Sequence, residues 1–223
     1  MKILAIIPAR SGSKSIKNKN IVKYKDKPLL AHSILSAKAS SNINRIILST
    51  DSKQYQKIGK KFGAEVPFLR PKKISSDRSW DIQYIKHCCN FLKRENYIPD
   101  LIVLLRPTTP NRNVKVIDKG ITYFLKNKKK YDSMRSVSLF NQPPHKMLKI
   151  KNNRLIGFFD DYIKGEYYAG PRQNFPKTYL PNGYVDIHKP NFFMNSKSNR
   201  LCGRILPFIT EETLDIDEKK DLK

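Results

Sequence analysis

The stretch Ile3–Asn20, ILAIIPARSGSKSIKNKN, constrains this chain more than any other, because it passes within a few residues from buried-strand chemistry to anion-handling chemistry. Ile3 to Ile7 is a short apolar run of the kind found in a strand covered on both faces. Pro8 ends it. The loop that follows has no apolar period but carries Arg10, Lys14, Lys17 and Lys19 among Ser11, Gly12, Ser13 and Ser15, so backbone N–H groups and cations can converge on one anion such as a triphosphate. Neither the G-x-x-x-x-G-K-[ST] spacing of a P-loop nor the G-x-G-x-x-G of a dinucleotide fold is present. A basic surface loop is the plainer reading of the same residues.

Downstream, the rhythm is that of a parallel sheet. Leu29, Leu30, Ser33, Ile34 and Ala37 recur at helical spacing, which places a helix over Leu29–Ala39. Ile46 to Asp51 reads as a second buried strand ending in a carboxylate, then come a helix to Phe62 and a third strand over Val66–Leu69. Ile82, Ile85, Cys89 and Leu92 mark the next helix face, Leu101–Leu105 a fourth strand, and Val114, Ile117, Ile121 and Leu125 a further helix. Strand and helix alternating at this pitch predict an α/β, three-layer, mostly parallel sheet. Ligands in such sheets gather at the carboxyl ends of the strands, where Arg10, Asp51 and Arg70 fall. Arg106-Pro107-Thr108-Thr109-Pro110 follows the fourth strand as a stiff, non-helical wall.

Between Asn141 and Leu180 the alternation breaks into prolines, the pair Asn152-Asn153, and the aromatics Tyr162, Tyr167 and Tyr168. This predicts a β-rich excursion from a single domain spanning residues 1–223, serving as a dimer arm. The chain returns to the sheet at Tyr184–His188, and Ile205–Phe208 forms an edge strand.

Composition decides less than its size suggests. With 44 Lys and Arg against 19 Asp and Glu the formal charge is +25, which raises nucleic acid as a partner. The lysines are spread over every helix face, however, and no paired Cys/His or stacking-aromatic motif accompanies them, so no nucleic-acid surface is expected. Cys88, Cys89 and Cys202 lack the number and spacing of a disulfide framework or zinc site. No run approaches the roughly 18 apolar residues of a membrane span, and a cytoplasmic protein is expected. His32, His87, His145 and His188 have no evident catalytic partner.

Asp215-Ile216-Asp217 is the second chemical signal. In an extended segment, residues two apart point the same way, so both carboxylates can face one hard cation while Ile216 faces the core. A solvated turn explains such a pair equally well when it stands alone.

Taken together, A-R-S-G-S-K-x-x-x-x-K-N after the first strand, Ser49-Thr50-Asp51, Arg70-Pro71 with Ser76-Asp77, the Pro171–Gly183 run P-R-Q-x-x-P-x-x-x-x-P-N-G, and Thr213-Leu214-Asp215-Ile216-Asp217 resemble the CMP-sialic acid (acylneuraminate) synthetase family of acidic-sugar cytidylyltransferases. The resemblance runs over nearly the whole chain. It implies a Rossmann-like nucleotidyltransferase that moves CMP from CTP to an acidic 2-keto sugar, works as a homodimer and uses Mg²⁺ at Asp215 and Asp217. It further implies Arg10 and Lys19 on the phosphates, with Asp217 the third catalytic residue. Ser13, Lys14, Asn20, Arg70, Ser79 and Asp81 fall on the nucleotide. Arg106, Lys146, Arg172, Asn182 and Asp186 fall on the sugar. A carboxylate at Asp81 can accept from the cytosine amino group, which uracil lacks.

The chain departs from the family pattern at four places. Ser15 replaces a glycine in the loop, Arg106 an amide, Leu180 an arginine and Asp186 an aromatic. The last three imply a sugar other than N-acetylneuraminic acid, with Asp186 either accepting from sugar donors or pairing with Arg106. Alternatives are activation of 3-deoxy-manno-octulosonate, or of another sugar or base, on the same fold, and a non-catalytic nucleic-acid-binding protein.

Overall fold

The computed structural model describes residues 1–194 and 200–222. Its centre is a six-stranded sheet in the order β10-β6-β9-β5-β1-β4. In chain order, β1 is Ile3–Pro8, β2 Lys23–Tyr24, β3 Lys27–Pro28, β4 Arg45–Ser49, β5 Leu101–Leu104, β6 Ser133–Phe140, β7 Leu148–Lys151, β8 Arg154–Gly157, β9 Thr178–His188 and β10 Ile205–Ile209. The helices are α1 Leu29–Ala39, α2 Lys53–Phe62, α3 Asp81–Arg94, α4 Val114–Asn127 and the short α5 Pro190–Met194. β1 pairs in parallel with β4 and β5, and β10 in parallel with β6, while β9 runs antiparallel between β5 and β6.

Alternation along β1 sorts the two helical layers. Ile3, Ala5 and Ile7 pack with Leu30 and Ile34 of α1, Tyr55 of α2 and Ile117, Ile121 and Phe124 of α4. Leu4 and Ile6 point the other way, onto Ile82, Ile85 and Leu92 of α3 and Phe193 of α5. The apolar run was therefore a strand with both faces covered.

Two expectations are corrected, and one strand was not foreseen. No strand forms over Val66–Leu69. Glu65 makes a single bridge to Ile47 at the β4 edge, and Pro67 then removes the donor that a continuing ladder needs. β6 went unread because its buried positions include Ser133, Ser136 and Ser138, which leave no apolar period. Ser136 Oγ instead accepts from the Val185 N–H at 2.9 Å.

β9, finally, begins six residues before Tyr184, at Thr178. Its Asn182-Gly183 is not a hairpin corner. The register jumps from Arg135–Asp186 to Val137–Pro181, so residues 182–185 bulge opposite Ser136, with Gly183 at φ 65. A Cβ there would come within 3.0 Å of Thr109 Oγ1 and be strained by the backbone, so glycine suits the position.

The excursion covers residues 141–177 and carries the β7–β8 hairpin, turned by Asn152 and Asn153 at φ 50 and 58. Ile150, Leu155, Phe158 and Tyr162 are exposed on it.

Candidate active site

A cleft opens at the carboxyl ends of β1 and β5. Arg10, Ser13, Lys19, Asn20, Arg70, Ser79, Asp81 and Arg106 line it, joined by Ser76, Asp77, Tyr84 and Thr108. The loop after β1 is folded down by Ile16, which is buried with Tyr24, Leu29 and Ile216. Asp51 at the end of β4 accepts from the Ser11 N–H at 2.8 Å and the Ser11 hydroxyl at 2.9 Å, pinning the loop's start. Asn20 donates to the Arg10 carbonyl at 2.9 Å and so spends its amide on the loop's shape. The left-handed residue of the loop is Asn18, at φ 56, rather than Ser15, so the backbone does not require a glycine at position 15.

The C-terminal segment closes onto this loop. Ile216 is fully buried between exposed Asp215 and Asp217, and its N–H donates to the Thr108 carbonyl at 2.7 Å. Lys19 reaches across 198 residues to Asp217 Oδ1 at 2.8 Å and to the Ile216 carbonyl at 3.1 Å. Asp215 and Asp217 are thus both exposed on either side of the buried Ile216. Among the described residues no group of three or more metal-ligating side chains occurs.

A carboxylate also caps Arg10 and Lys14. Asp77 pairs with Arg10 and, at 3.0 Å, with Lys14. The Lys14 hydrogen bond above all, with Arg10, holds the Asp77 carboxyl below its usual range despite desolvation. Lys14 itself is exposed and lies outside the cleft lining.

At the opposite wall Arg70 is buried, bonded to the Ser49 hydroxyl at 3.1 Å and to its carbonyl, with its guanidinium 4.6 Å from the Tyr84 ring centroid. Burial lowers its pKa against nearby Tyr84 and Asp51. Ser79 accepts from the Ser76 N–H at 2.9 Å. Asp81 accepts from the Tyr84 hydroxyl at 2.8 Å and from Arg106 Nη2 at 2.6 Å. Burial pushes the Asp81 carboxyl up, but Arg106 and the Tyr84 hydroxyl outweigh it and keep the pKa below the usual range.

Four residues expected at a sugar are not part of this cleft's lining. Asp186 is buried and accepts from Arg106 Nη1 at 2.7 Å, with Arg135 Nε 3.7 Å away, which is the pairing arrangement rather than the free acceptor. Asn182 donates to Thr210 Oγ1 at 2.7 Å and to the Glu211 carbonyl at 3.3 Å, while its own oxygen accepts from the Tyr184 N–H. Its side chain is occupied in tying the β9 bulge to the segment after β10. Lys146 donates to the Gly170 carbonyl at 2.7 Å within the excursion. Arg172 lies 3.4 Å from Asn141 Oδ1 in a separate depression beside Phe140 and Phe175.

Asp77, quoted only as part of the Ser76-Asp77 resemblance, and Tyr84 line the cleft without having been given a role, and Arg112 supports it from behind. Arg112 is buried and donates to the Arg106, Thr109, Gly183 and Tyr184 carbonyls and to the Ser33 hydroxyl, fastening the rigid wall to the β9 bulge. No motif announces it; a charged residue between two Asn in a Pro-bounded loop looks solvated.

A family model described as cytidylyltransferase matches residues 4–173. An N-acylneuraminate cytidylyltransferase of Escherichia coli O18:K1:H7 is 34% identical over 227 residues, taking in 100% of this chain and 51% of that protein. A pseudaminic acid cytidylyltransferase of Campylobacter jejuni serotype O:23/36 is 31% identical over 183 residues, 82% of this chain and 76% of that protein. The chain therefore spans about half the length of the first relative.

Among solved structures, a CMP:2-keto-3-deoxy-manno-octonic acid synthetase complexed with CTP superposes with a TM-score of 0.69 at 14% identity, covering 100% of this chain and 95% of that one. A 4-diphosphocytidyl-2C-methyl-D-erythritol synthase gives 0.66 at 7% identity, covering 99% and 94%. At such identities the likeness concerns the fold, an α/β Rossmann-like nucleotidyltransferase architecture.

Proposed function

Because the chain belongs to the cytidylyltransferase family, with the family match over residues 4–173, we propose that it transfers CMP from CTP to an acidic 2-keto sugar of the nonulosonic type and releases pyrophosphate. The observation that carries the reading is the meeting of the phosphate loop with the Asp215–Asp217 segment at one cleft, through Lys19 and Asp217.

In this reaction the sugar hydroxyl attacks the α-phosphorus in line, and the chain's work is to position the groups and neutralise charge. Arg10 and Lys19 hold the β- and γ-phosphates and offset the charge that grows on the departing pyrophosphate, with Lys14 at the rim. Their present partners Asp77 and Asp217 must yield for this to happen. Asp81 accepts from the cytosine amino group, with Ser79 beside it and Arg70 supporting the same wall.

Two exposed carboxylates flanking a buried residue suit Mg²⁺, which takes one or two carboxylates and completes its shell with waters and substrate phosphate. Asp215 and Asp217 would hold it. When bound, the ion polarises the α-phosphate and favours ionisation of the attacking hydroxyl.

The exposed apolar side chains of the excursion support a homodimer formed through it. Lys146 and Arg172 also sit on that arm, so a dimer is the arrangement that could return them to a cleft. A cytoplasmic setting, where CTP is available, fits the reading; among the described residues no helix is long and apolar enough to cross a membrane.

The sugar differs from N-acetylneuraminic acid, because the Arg106–Asp186 pair puts a cation and a committed carboxylate where the family has an amide and an aromatic. Pyrophosphate release with CTP, Mg²⁺ and a panel of keto-sugar acids tests both claims. Turnover is expected, and N-acetylneuraminic acid turning over best by about tenfold, or 1.4 kcal/mol, would refute the claim about the sugar. No turnover with any acid, alongside salt-dependent binding of random oligonucleotides, would instead favour the non-catalytic alternative.

A further inference from the structure

Asp186 is costly to bury. It lies 2% exposed on β9, its Oδ1 has no hydrogen-bond partner among the described residues, and Oδ2 carries both of its cationic contacts. A buried ion pair is weak evidence for stability, since desolvation of both partners consumes most of the attraction. Geometry offers a better account.

Arg106 extends from the end of β5 and is gripped at both tips of its fork, Nη1 by Asp186 at 2.7 Å and Nη2 by Asp81 at 2.6 Å. A planar guanidinium bonded at both ends has little freedom left. Asp81, at the first turn of α3, is in turn fixed on its second oxygen by the Tyr84 hydroxyl. Each carboxylate oxygen retains a further lone pair, so the fixed Asp81 can still accept from a ligand in the cleft.

We propose that Asp186 is a positioning residue, acting through Arg106 to hold Asp81 where it distinguishes cytosine from uracil. The relay rests on the reading of the nucleotide as CTP. Cytosine presents an amino donor to Asp81; uracil presents a carbonyl oxygen, which an ionised carboxylate repels. Without Asp186, Arg106 keeps one anchor and can swing into the cleft, and Asp81 loses its orientation. A role confined to joining β5 to β9 would alter stability and leave base choice unchanged.

The test is a double-mutant cycle read by calorimetric affinity for CTP and for UTP on the full chain, with thermal melting as the check on folding. Wild type should prefer CTP by roughly a hundredfold or more, the order expected when a polar site meets the wrong partner. Asp186→Asn should cut that preference about tenfold, Asp81→Asn should abolish it, and the double variant should be no worse than Asp81→Asn, the non-additivity of two residues acting in series.

A preference unchanged in Asp186→Asn, or losses that multiply in the double variant, overturns the relay. If Asp186→Asn does not fold, Arg106→Lys serves, because it keeps the charge but cannot bridge two carboxylates as a rigid fork; an unchanged preference there overturns the relay equally. Wild type that binds UTP as tightly as CTP overturns the cytidylyl reading and the relay with it. Discrimination retained alongside a multiplicative cycle removes the relay alone.

Discussion

Mild acid should destabilise this protein chiefly through His188. His188 lies on β9, buried, with Nδ1 3.7 Å from Cys202 Sγ and no partner for Nε2 among the described residues. Burial is the main cause that lowers its pKa from 6.5 to about 4; Asp186 opposes the shift, while Arg106 and Arg135 add to it. The unfolded chain takes up a proton near pH 6.5 that the folded chain refuses until about pH 4. Stability is therefore full above pH 6.5, falls as the pH drops through this window, and loses nothing further from this group below it.

A pKa moved from 6.5 to about 4, at about 1.36 kcal/mol per pH unit, corresponds to roughly 3 kcal/mol. That is a large part of the roughly 5–15 kcal/mol by which domains are stable. Urea unfolding at constant salt from pH 7 to pH 4 should show it, with His188→Gln as the reference that cannot titrate there. Carboxylates held below their usual range by groups other than His188, such as Asp118, behave alike in both proteins and cancel in the difference. The stability of wild type relative to the variant should shrink by roughly 3 kcal/mol as the pH falls. Parallel curves for the two proteins would refute the reasoning.

Other expectations are more direct. Asp217→Asn should abolish Mg²⁺-dependent turnover while the folded spectrum persists, and activity retained at ordinary Mg²⁺ would remove Asp217 as a ligand. Lys19→Ala should cost about a hundredfold in rate, the order seen when one electrostatic donor to a transition state is lost. A change confined to the sugar KM would assign Lys19 to another ligand. Asp77→Asn frees Arg10 and Lys14 from their internal partner and should lower the KM for CTP, severalfold at most because the pairs are exposed; a raised KM would mean that Asp77 assists binding. Ile150→Glu with Leu155→Glu on the excursion should shift the mass by light scattering from dimer to monomer, and an unchanged dimer would place the contact elsewhere.

How far this protein could be read without its tertiary structure depended on whether a feature is local. β1, β4 and β5 were legible because strands covered on both faces must be apolar at nearly every position, and α1 matches its expected bounds, Leu29–Ala39. The cations of the loop after β1 and the carboxylates of Asp215-Ile216-Asp217 were visible for a related reason: they are carried in residue type and spacing alone. β6 was hidden by its buried serines, of which Ser136 meets the Val185 N–H of β9, and the Val66–Leu69 strand was undone by Pro67 at the point where a ladder would need its N–H.

Pairing at a distance was mostly hidden, and the Arg106–Asp186 pair stood only as one of two alternatives. That this alternative holds, that Asp77 caps Arg10, that Asp217 caps Lys19, and that Asn182 turns to Thr210 instead of the cleft are consequences of register and layer packing. A side chain's type states what it can bond. Which partner stands within 3 Å of it is decided by how β9 is inserted antiparallel between β5 and β6, where the bulge at residues 182–185 shifts the register and sends neighbouring side chains to different faces.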